Sequence, residues 1–300
     1  INRRRGGKLM FRNPVYEKEI RSTYRSVRIL AIIVIFNIIL ALVGISRLSY
    51  IVNDMHFNGS AEYSAMLQLY IMIATIEFLL LVLIIPGQTA AAISGERERR
   101  TLDAMLSTNI TPATLILGKL MASLTTTFLF ITSSLPVLSL VFIYGGIQVS
   151  DLALLLGYML FSAIYIGSCS ICFSSYFRHT TTSTIISYGF VLFLFIGTLF
   201  LNEFPTLFSE TVTPTFQASL SPASYCLILN PAITFYYIMN RQAGNPDILL
   251  ELLHYPKFYD SNLIIEHWIQ FSIGIQFLII LLFLFFAARH LKNNFYSGKY

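Results

Sequence analysis

Six apolar blocks, each about as long as a bilayer is thick, constrain this chain more than any other feature. A membrane-spanning helix needs about 20 apolar residues, and a bilayer interior accommodates only helices and closed barrels. Hydrophobic residues make up 55% of the 300-residue chain and charged residues only 12%, values that exclude a globular protein with a water-facing surface. We therefore predict an all-α membrane protein with six spans, at 27–45, 66–92, 112–144, 152–175, 180–201 and 263–288.

The positive charges predict the orientation of these spans. Lys and Arg in short loops stay on the cytosolic side of a membrane. Of the 20 Lys and Arg residues, 17 lie on one side of a six-span arrangement, and only Arg47, Arg241 and Lys257 lie on the other. We expect a multi-pass protein of the cytoplasmic membrane with both termini in the cytosol. The net charge of +5 calls for no nucleic-acid partner, because topology and attraction to membrane lipid already explain it.

A short amphipathic segment precedes the first span. Asn13 and Pro14 have the form of a helix N-cap followed by proline at the first helical position. Residues 13–28 mix apolar with charged side chains, and a helix of this kind lies along lipid headgroups. Its charged residues include Glu17, Glu19 and Arg21. Residues 1–12 are predicted to form a basic tail.

A dense run of charges lies between the second and third apolar blocks. It comprises Glu96, Arg97, Glu98, Arg99, Arg100, Thr101, Leu102 and Asp103. The positive-inside rule explains the arginines but does not favour the interleaved glutamates. We interpret the run as a charged helix that contacts another protein in the water, with charges of both signs setting register and partner choice. Leu102, Met105 and Leu106 have helical spacing and could fill an apolar hollow in that partner or rest on the bilayer.

These two segments resemble those of a known family. The stretch Asn13–Arg21 resembles the elbow helix of ABC-2 type transporter permeases, and Gly95–Leu102 resembles the coupling helix of that family. The six spans and a large outer segment before the last span also match the plan of that family. Within the segment that resembles the coupling helix, Arg100 stands where the family is expected to have a small residue. The resemblance implies one transmembrane domain over residues 1–300. It also implies two cytosolic ATPase subunits and a second permease subunit, identical or related.

No catalytic motif accompanies these segments. The pair Gly118–Lys119 lacks the remaining residues of a phosphate-binding loop, so ATP and Mg²⁺ are expected in the partner ATPase and no cofactor in this chain. Cys169 and Cys172 have redox-like spacing but lie in an apolar block without nearby His. We interpret them as packing residues and predict no metal site.

Polar residues in the second and fifth spans are the candidates for a solute path. Glu77 is the clear intramembrane carboxyl, and such residues normally face a bundle interior, a partner or water. Tyr70, Glu77 and Gln88 fall within about 20 degrees of one helical stripe. In the resembled family the second and fifth spans bound the central route, which adds Ser187 and Tyr188. Solvation of Glu77 near the outer interface is the open alternative.

The segment 202–262 is too long for a simple connector. Its apolar part, 218–239, is interrupted by Pro222 and by Asn230–Pro231, a pattern that favours a helical hairpin re-entering the outer leaflet. Gating, lipid entry and simple anchoring are its open roles. An aromatic belt is expected at this interface, formed by Tyr225, Phe235, Tyr236, Tyr237, Tyr255, Tyr259 and Trp268.

The predicted function is ATP-driven export of a hydrophobic or amphipathic solute, a lipid-like molecule or a peptide. A polysaccharide-exporting permease is the alternative with the same general plan. An ion-driven carrier or a non-transporting sensor is the alternative of a different class. A carrier would be expected to have several paired intramembrane charges, whereas this sequence offers Glu77.

Overall fold

The computed structural model describes residues 13–58, 63–107, 110–143, 148–209, 223–253 and 263–296, and every regular element within these ranges is a helix. In chain order the elements are α1 (Pro14–Tyr24), α2 (Val27–Asn58), α3 (Tyr63–Thr89), α4 (Ser94–Glu98), α5 (Leu102–Leu106), α6 (Pro112–Ile143), α7 (Val149–Tyr176), α8 (Thr180–Leu192), a π-helical turn (Phe193–Gly197), α9 (Thr198–Ser209), a 3₁₀ helix (Ser224–Leu229), α10 (Pro231–Gln242), α11 (Ile248–Leu252), α12 (Leu263–Glu266) and α13 (Trp268–Tyr296). The predicted basic tail, Pro222, Tyr255 and Tyr259 lie outside the described residues.

The six predicted spans are confirmed, because six helices are long and apolar enough to cross a membrane. They are α2, α3, α6, α7, the continuous rod of α8 and α9, and α13. Between 56% and 61% of the residues in the apolar windows of α3, α6 and α7 are buried, against 17% to 22% in the other three spans. The spans α3, α6 and α7 therefore form the centre of the bundle.

The first span is longer than its apolar block. We expected it to end near residue 45, but α2 continues to Asn58. No proline or glycine occurs between Gly44 and Gly59, so nothing in the backbone chemistry stops the helix there. The Arg47 guanidinium donates a hydrogen bond to Gln68 Oε1 of α3 at 3.1 Å, which joins the extension to the next span.

The start of α10, within the predicted outer segment, packs against the bundle. Asn230 is fully buried and caps α10 by accepting a hydrogen bond from the Ala232 N–H at 2.8 Å. Its side-chain amide donates to the Phe195 carbonyl at 3.1 Å and to Thr198 Oγ1 at 2.8 Å. Asn230 therefore holds the start of α10 against the π-helical turn of the fifth span, at a place where helix backbone is irregular.

The aromatic-belt prediction is wrong for three of its described members. Trp268 is only 1% exposed and donates its indole N–H to Thr234 Oγ1 at 3.3 Å. Phe235 and Tyr237 are also buried, whereas Tyr225 and Tyr236 are about 40% exposed. The reason is that α10 packs against α3, α7 and α13, which covers these rings; Phe235, for example, stacks on Phe78 of α3 with 4.2 Å between the ring centroids.

Candidate functional site

The charged segment and α1, the predicted elbow helix, meet at one end of the bundle. We use the name charged junction for α1, α4 and α5 together with the ends of α3, α6, α7 and α8 that contact them. The junction contains most of the residues that the sequence singled out. Its contacts are both ionic and apolar.

Lys119 is the central cation of the charged junction. It lies in α6 with its side chain 6% exposed, and its ammonium donates to Glu19 Oε1 of α1 at 2.9 Å and to Glu96 Oε1 of α4 at 3.1 Å. Lys18 approaches the same Glu96 oxygen to 4.0 Å from a more exposed position. A buried ammonium is strongly unfavourable unless it is paired, and two carboxylates meet that need here. Lys119 thus ties the elbow helix and the charged segment to the third span.

Two neighbouring charges of α4 hold the connection between α7 and α8. The Arg97 guanidinium donates to the Ser175 and Phe177 carbonyls at the end of α7, each at 2.9 Å. The Glu98 carboxylate accepts the Thr180 N–H at 2.8 Å and the Thr180 hydroxyl at 3.0 Å, at the first residue of α8. Helix ends carry partial charges, negative at the C-terminus and positive at the N-terminus, so each side chain has the sign that its helix end attracts.

The same contacts keep the two glutamates of α4 ionised. Hydrogen bonds from the backbone and the side chain of Thr180 lower the pKa of the Glu98 carboxyl. For Glu96 burial raises the pKa, but the hydrogen bond from Thr101 and the charge and hydrogen bond of Lys119 outweigh it, so that the pKa lies below its usual value. Both groups are therefore negative at neutral pH, as their ionic contacts require.

The charged segment is two short helices rather than one. Arg100 has a φ of +57°, in the left-handed region, and ends α4. The Arg100 N–H donates to the Arg97 carbonyl at 3.0 Å and the Thr101 N–H to the Glu96 carbonyl at 2.9 Å. These two bonds form a Schellman motif, in which glycine is the usual left-handed residue. The left-handed φ of Arg100 is the physical reason to expect a small residue, such as glycine, at this position.

Serine hydroxyls join the start of α4 to the neighbouring spans. Ser174 Oγ of α7 accepts the Ile93 N–H at 2.9 Å and the Ser94 N–H at 3.0 Å. Ser183 of α8 donates to the Ala90 carbonyl at 2.6 Å. Backbone groups between α3 and α4, which no regular helix satisfies, therefore find their partners in α7 and α8.

The two leucines of α5 face inward and do not offer an exposed apolar surface to a partner. Leu102 and Leu106 are buried in a cluster that includes residues of α1, α6, α7 and α13. The two leucines therefore support the charged junction from inside. The exposed residues of the segment are Glu98, Arg99, Arg100, Thr101, Ala104 and Ser107. Asp103 belongs to α5 by its backbone.

The elbow helix begins as the sequence predicted. Asn13 Oδ1 accepts the Val15 N–H at 3.1 Å, with Pro14 at the first helical position. The Asn13 amide also donates to the Thr114 carbonyl of α6 at 2.7 Å. This approach requires Gly118, because a Cβ there would lie 2.7 Å from Asn13 Nδ2.

Further along α1, Tyr16 shares a hydrogen bond of 3.2 Å with Thr125 of α6. Glu17 and Arg21 line a groove of about 640 Å³ between α1 and α6. The elbow helix is thus docked on α6 by capping, polar and ionic contacts along its length.

The candidate path residues contact several different neighbours. Tyr70 donates to Gln242 Oε1 of α10 at 3.1 Å, and Glu77 contacts the Ser134 hydroxyl of α6. Tyr188 donates to the Leu83 carbonyl at 2.7 Å, three residues before Pro86. Ser187 is buried in α8, and Gln88 lines a recess of about 220 Å³ beside Lys119. Glu77 is fully buried, so the alternative of a solvated Glu77 is excluded, while path lining stays a prediction.

Sequence reasoning missed Lys119 as a site residue. It was counted among the cytosolic cations and otherwise used only to dismiss a phosphate-binding loop. The available signal was a lysine inside an apolar helix with acidic residues in two flanking segments on the same side. A lysine in such a place needs carboxylate partners.

Comparison with known proteins identifies the family of the chain. The sequence model of a family described as ABC-2 family transporter protein matches residues 13–291. No curated protein matches the chain at a significant level. The matched range begins at the Asn13 cap, contains the whole charged junction and reaches the last span. This chain belongs to the ABC-2 family of transporter proteins.

Proposed function

We propose that this chain is the membrane-spanning subunit of an ATP-driven exporter in the cytoplasmic membrane. The family implies partnership with ABC ATPase subunits. In the proposed assembly two such subunits, which bind ATP and Mg²⁺, act on two permease subunits, identical or related, whose termini lie in the cytosol. This chain would convert the closure of the ATPases into movement of its spans.

The observation that carries the proposal is the way in which the charged junction connects α4 to the spans. Glu96 reaches α6 through Lys119, Arg97 reaches the end of α7, and Glu98 reaches the start of α8. The apolar cluster beneath α5 adds contacts to α1 and α13. A displacement of α4 and α5 would therefore act on several spans at once.

Arg99 and Arg100 are the proposed contacts with the ATPase. Both are exposed, whereas the charged groups of Glu96 and Arg97 are used inside the chain. Guanidinium groups form strong, directional hydrogen bonds to carboxylates, so an acidic groove is the expected counterpart on the partner. In this proposal Glu96, Arg97 and Glu98 anchor the segment to the spans. Arg99 and Arg100 bind the ATPase.

The proposed solute is hydrophobic or amphipathic, a class that includes lipid-like molecules and peptides. Large apolar side chains such as Phe193, Phe200, Phe277 and Phe285 are exposed on the fifth and sixth spans. Such faces suit a bilayer or a second permease subunit.

Within the described residues the buried charged side chains are Glu77 and Lys119, and Lys119 pairs with α1 and α4. This pattern favours an ATP-driven device over an ion-driven carrier, which pairs charges inside its spans.

The test is co-purification from native membranes in mild detergent, followed by mass spectrometry. We expect an ATPase with a phosphate-binding loop to accompany the wild-type chain. The double variant Arg99→Glu, Arg100→Glu should lose it by at least about tenfold, because like charges would then face each other. Arg25→Glu, an exposed arginine outside α4 and α5, is the matched control and should retain it. An ATPase absent from the wild type, or equally abundant with the double variant, would overturn the proposal.

A further inference from the structure

The groove between α1 and α6 has two chemically different walls. Tyr16, Arg21 and Tyr24 of α1 line one side, and Leu117 and Met121 of α6 line the other. Its volume of about 640 Å³ is in the range typical of ligand sites. The groove lies on the opposite flank of α1 from the Glu19–Lys119 ion pair, which borders a separate recess.

The α6 wall is apolar and exposed. Leu117 and Met121 are 47% and 54% exposed, and they belong to a helix long and apolar enough to span the membrane. Two turns further along the same face of the helix, Phe128 is 50% exposed and continues the apolar surface. A water-soluble protein cannot follow this wall into the bilayer, so the occupant is a molecule of the membrane.

The α1 wall is polar, and basic residues surround it. Arg21 and Glu17 are the charged residues that line it. Lys18, Arg25 and Arg28 are exposed beside the groove but outside its lining. The negative charge of Glu19 is already paired with Lys119. Basic residues next to a membrane span attract anionic headgroups with about 1 kcal/mol each, and tyrosines suit the headgroup level. The groove thus runs from a polar, aromatic rim that contains Arg21, with further cations next to it, to an apolar wall.

We propose that this groove binds one anionic glycerophospholipid from the leaflet on the α1 side. The headgroup phosphate contacts Arg21, and an acyl chain lies along Leu117 and Met121. The bound lipid holds α1 on α6 from the flank that the Lys119 ion pairs leave open. The charged junction is then sensitive to the lipid composition of the membrane.

The experiment titrates purified full-length chain in mild detergent with phosphatidylglycerol or with phosphatidylcholine of the same acyl chains and measures bound lipid by native mass spectrometry. We expect phosphatidylglycerol to bind at least about fivefold more tightly. Arg21→Gln, which removes the phosphate contact, and Met121→Trp, which fills the groove, should each lower binding by a similar factor. The matched controls are Arg25→Gln, exposed outside the groove, and Leu79→Trp, a half-exposed position on α3. Both controls should lose clearly less binding than the two groove variants.

Several results would overturn the proposal. Equal binding of the two lipids would show that no anion is recognised. Equal losses in Arg21→Gln and Arg25→Gln would indicate diffuse attraction to headgroups instead of a site. Unchanged binding in Met121→Trp would place the lipid elsewhere, and loss of a dimer in that variant without loss of lipid would assign the groove to a second copy of the chain. Melting temperatures of the variants show whether each remains folded.

Discussion

At the scale of single residues, Lys119 matters because it forms ion pairs with two carboxylates from distant parts of the chain. Glu19 is 100 positions away and Glu96 is 23 positions away. The ammonium is almost fully buried, while the side chains of Glu19 and Glu96 are 28% and 14% exposed. Removal of the lysine would leave two carboxylates close together, with only the long, exposed contact of Lys18 to Glu96 to balance them.

We expect Lys119→Met to destabilise the protein by about 2 kcal/mol, less than for a fully buried pair because the carboxylates are partly exposed. The measurement is the thermal unfolding midpoint in detergent. Lys18→Met, which removes a long and exposed ion pair with the same Glu96, should change stability by less than about 0.5 kcal/mol. Adding Glu96→Gln to Lys119→Met should recover part of the loss. Equal effects of the two lysine variants would contradict this account of the junction.

Arg100 offers a second test at this scale, because its left-handed backbone is unfavourable for any residue with a Cβ. We expect Arg100→Gly to stabilise the protein by roughly 1 kcal/mol, since glycine adopts this conformation freely. Arg99 has a right-handed backbone with a φ of −78°, so Arg99→Gly should destabilise by a similar amount. Unfolding midpoints of the two variants should therefore move in opposite directions. A fall in both would mean that the Arg100 side chain supports the fold.

At the scale of elements, the docking of α1 on α6 depends on a close approach at Gly118. The Asn13 amide that occupies this space cannot move freely, because it caps α1 and bonds to Thr114. We expect Gly118→Ala to lower stability by about 1 kcal/mol, the usual value of a lost cap. The control is Gly157→Ala in α7, where a Cβ meets nothing within 4 Å and should be neutral or stabilising.

The same contact can be isolated with a double variant. Asn13→Ala should lower the unfolding midpoint about as much as Gly118→Ala, because both changes remove the same cap. The combined variant should then be little worse than either one. Additive losses would show that Gly118 supports the helix bundle by some means other than the position of Asn13.

At the scale of the whole molecule, three central spans support three outer ones, and α10 is packed among them. The charged junction lies at one end of the bundle. Arg241, at the end of α10, is exposed and was assigned by the charge distribution to the opposite side of the membrane from α1. The orientation of the whole molecule can therefore be tested with two positions.

We expect a membrane-impermeant maleimide to label Arg241→Cys in intact cells and Arg25→Cys only after the membrane is opened. Both variants are made in a chain in which Cys169, Cys172 and Cys226 are replaced by serine, because Cys226 is partly exposed and could react with the maleimide. The physical reason is the retention of Lys and Arg on the cytosolic side. The reverse labelling pattern would invert the proposed orientation and remove the ATPase from the charged junction.

The sequence by itself determined the fold class, the number of spans and the start of the elbow helix. These features are local, because a bilayer forces each apolar block to satisfy its own backbone hydrogen bonds and because the Asn13–Pro14 pattern acts within one turn. Tertiary structure alone decided which charges of the run after Gly95 bind to other helices of the chain. Glu96, Arg97 and Glu98 differ little in sequence from Arg99 and Arg100, and only the positions of Lys119 and of the ends of α7 and α8 separate them. The burial of Trp268 is of the same kind, since it depends on the helix α10 that packs over it.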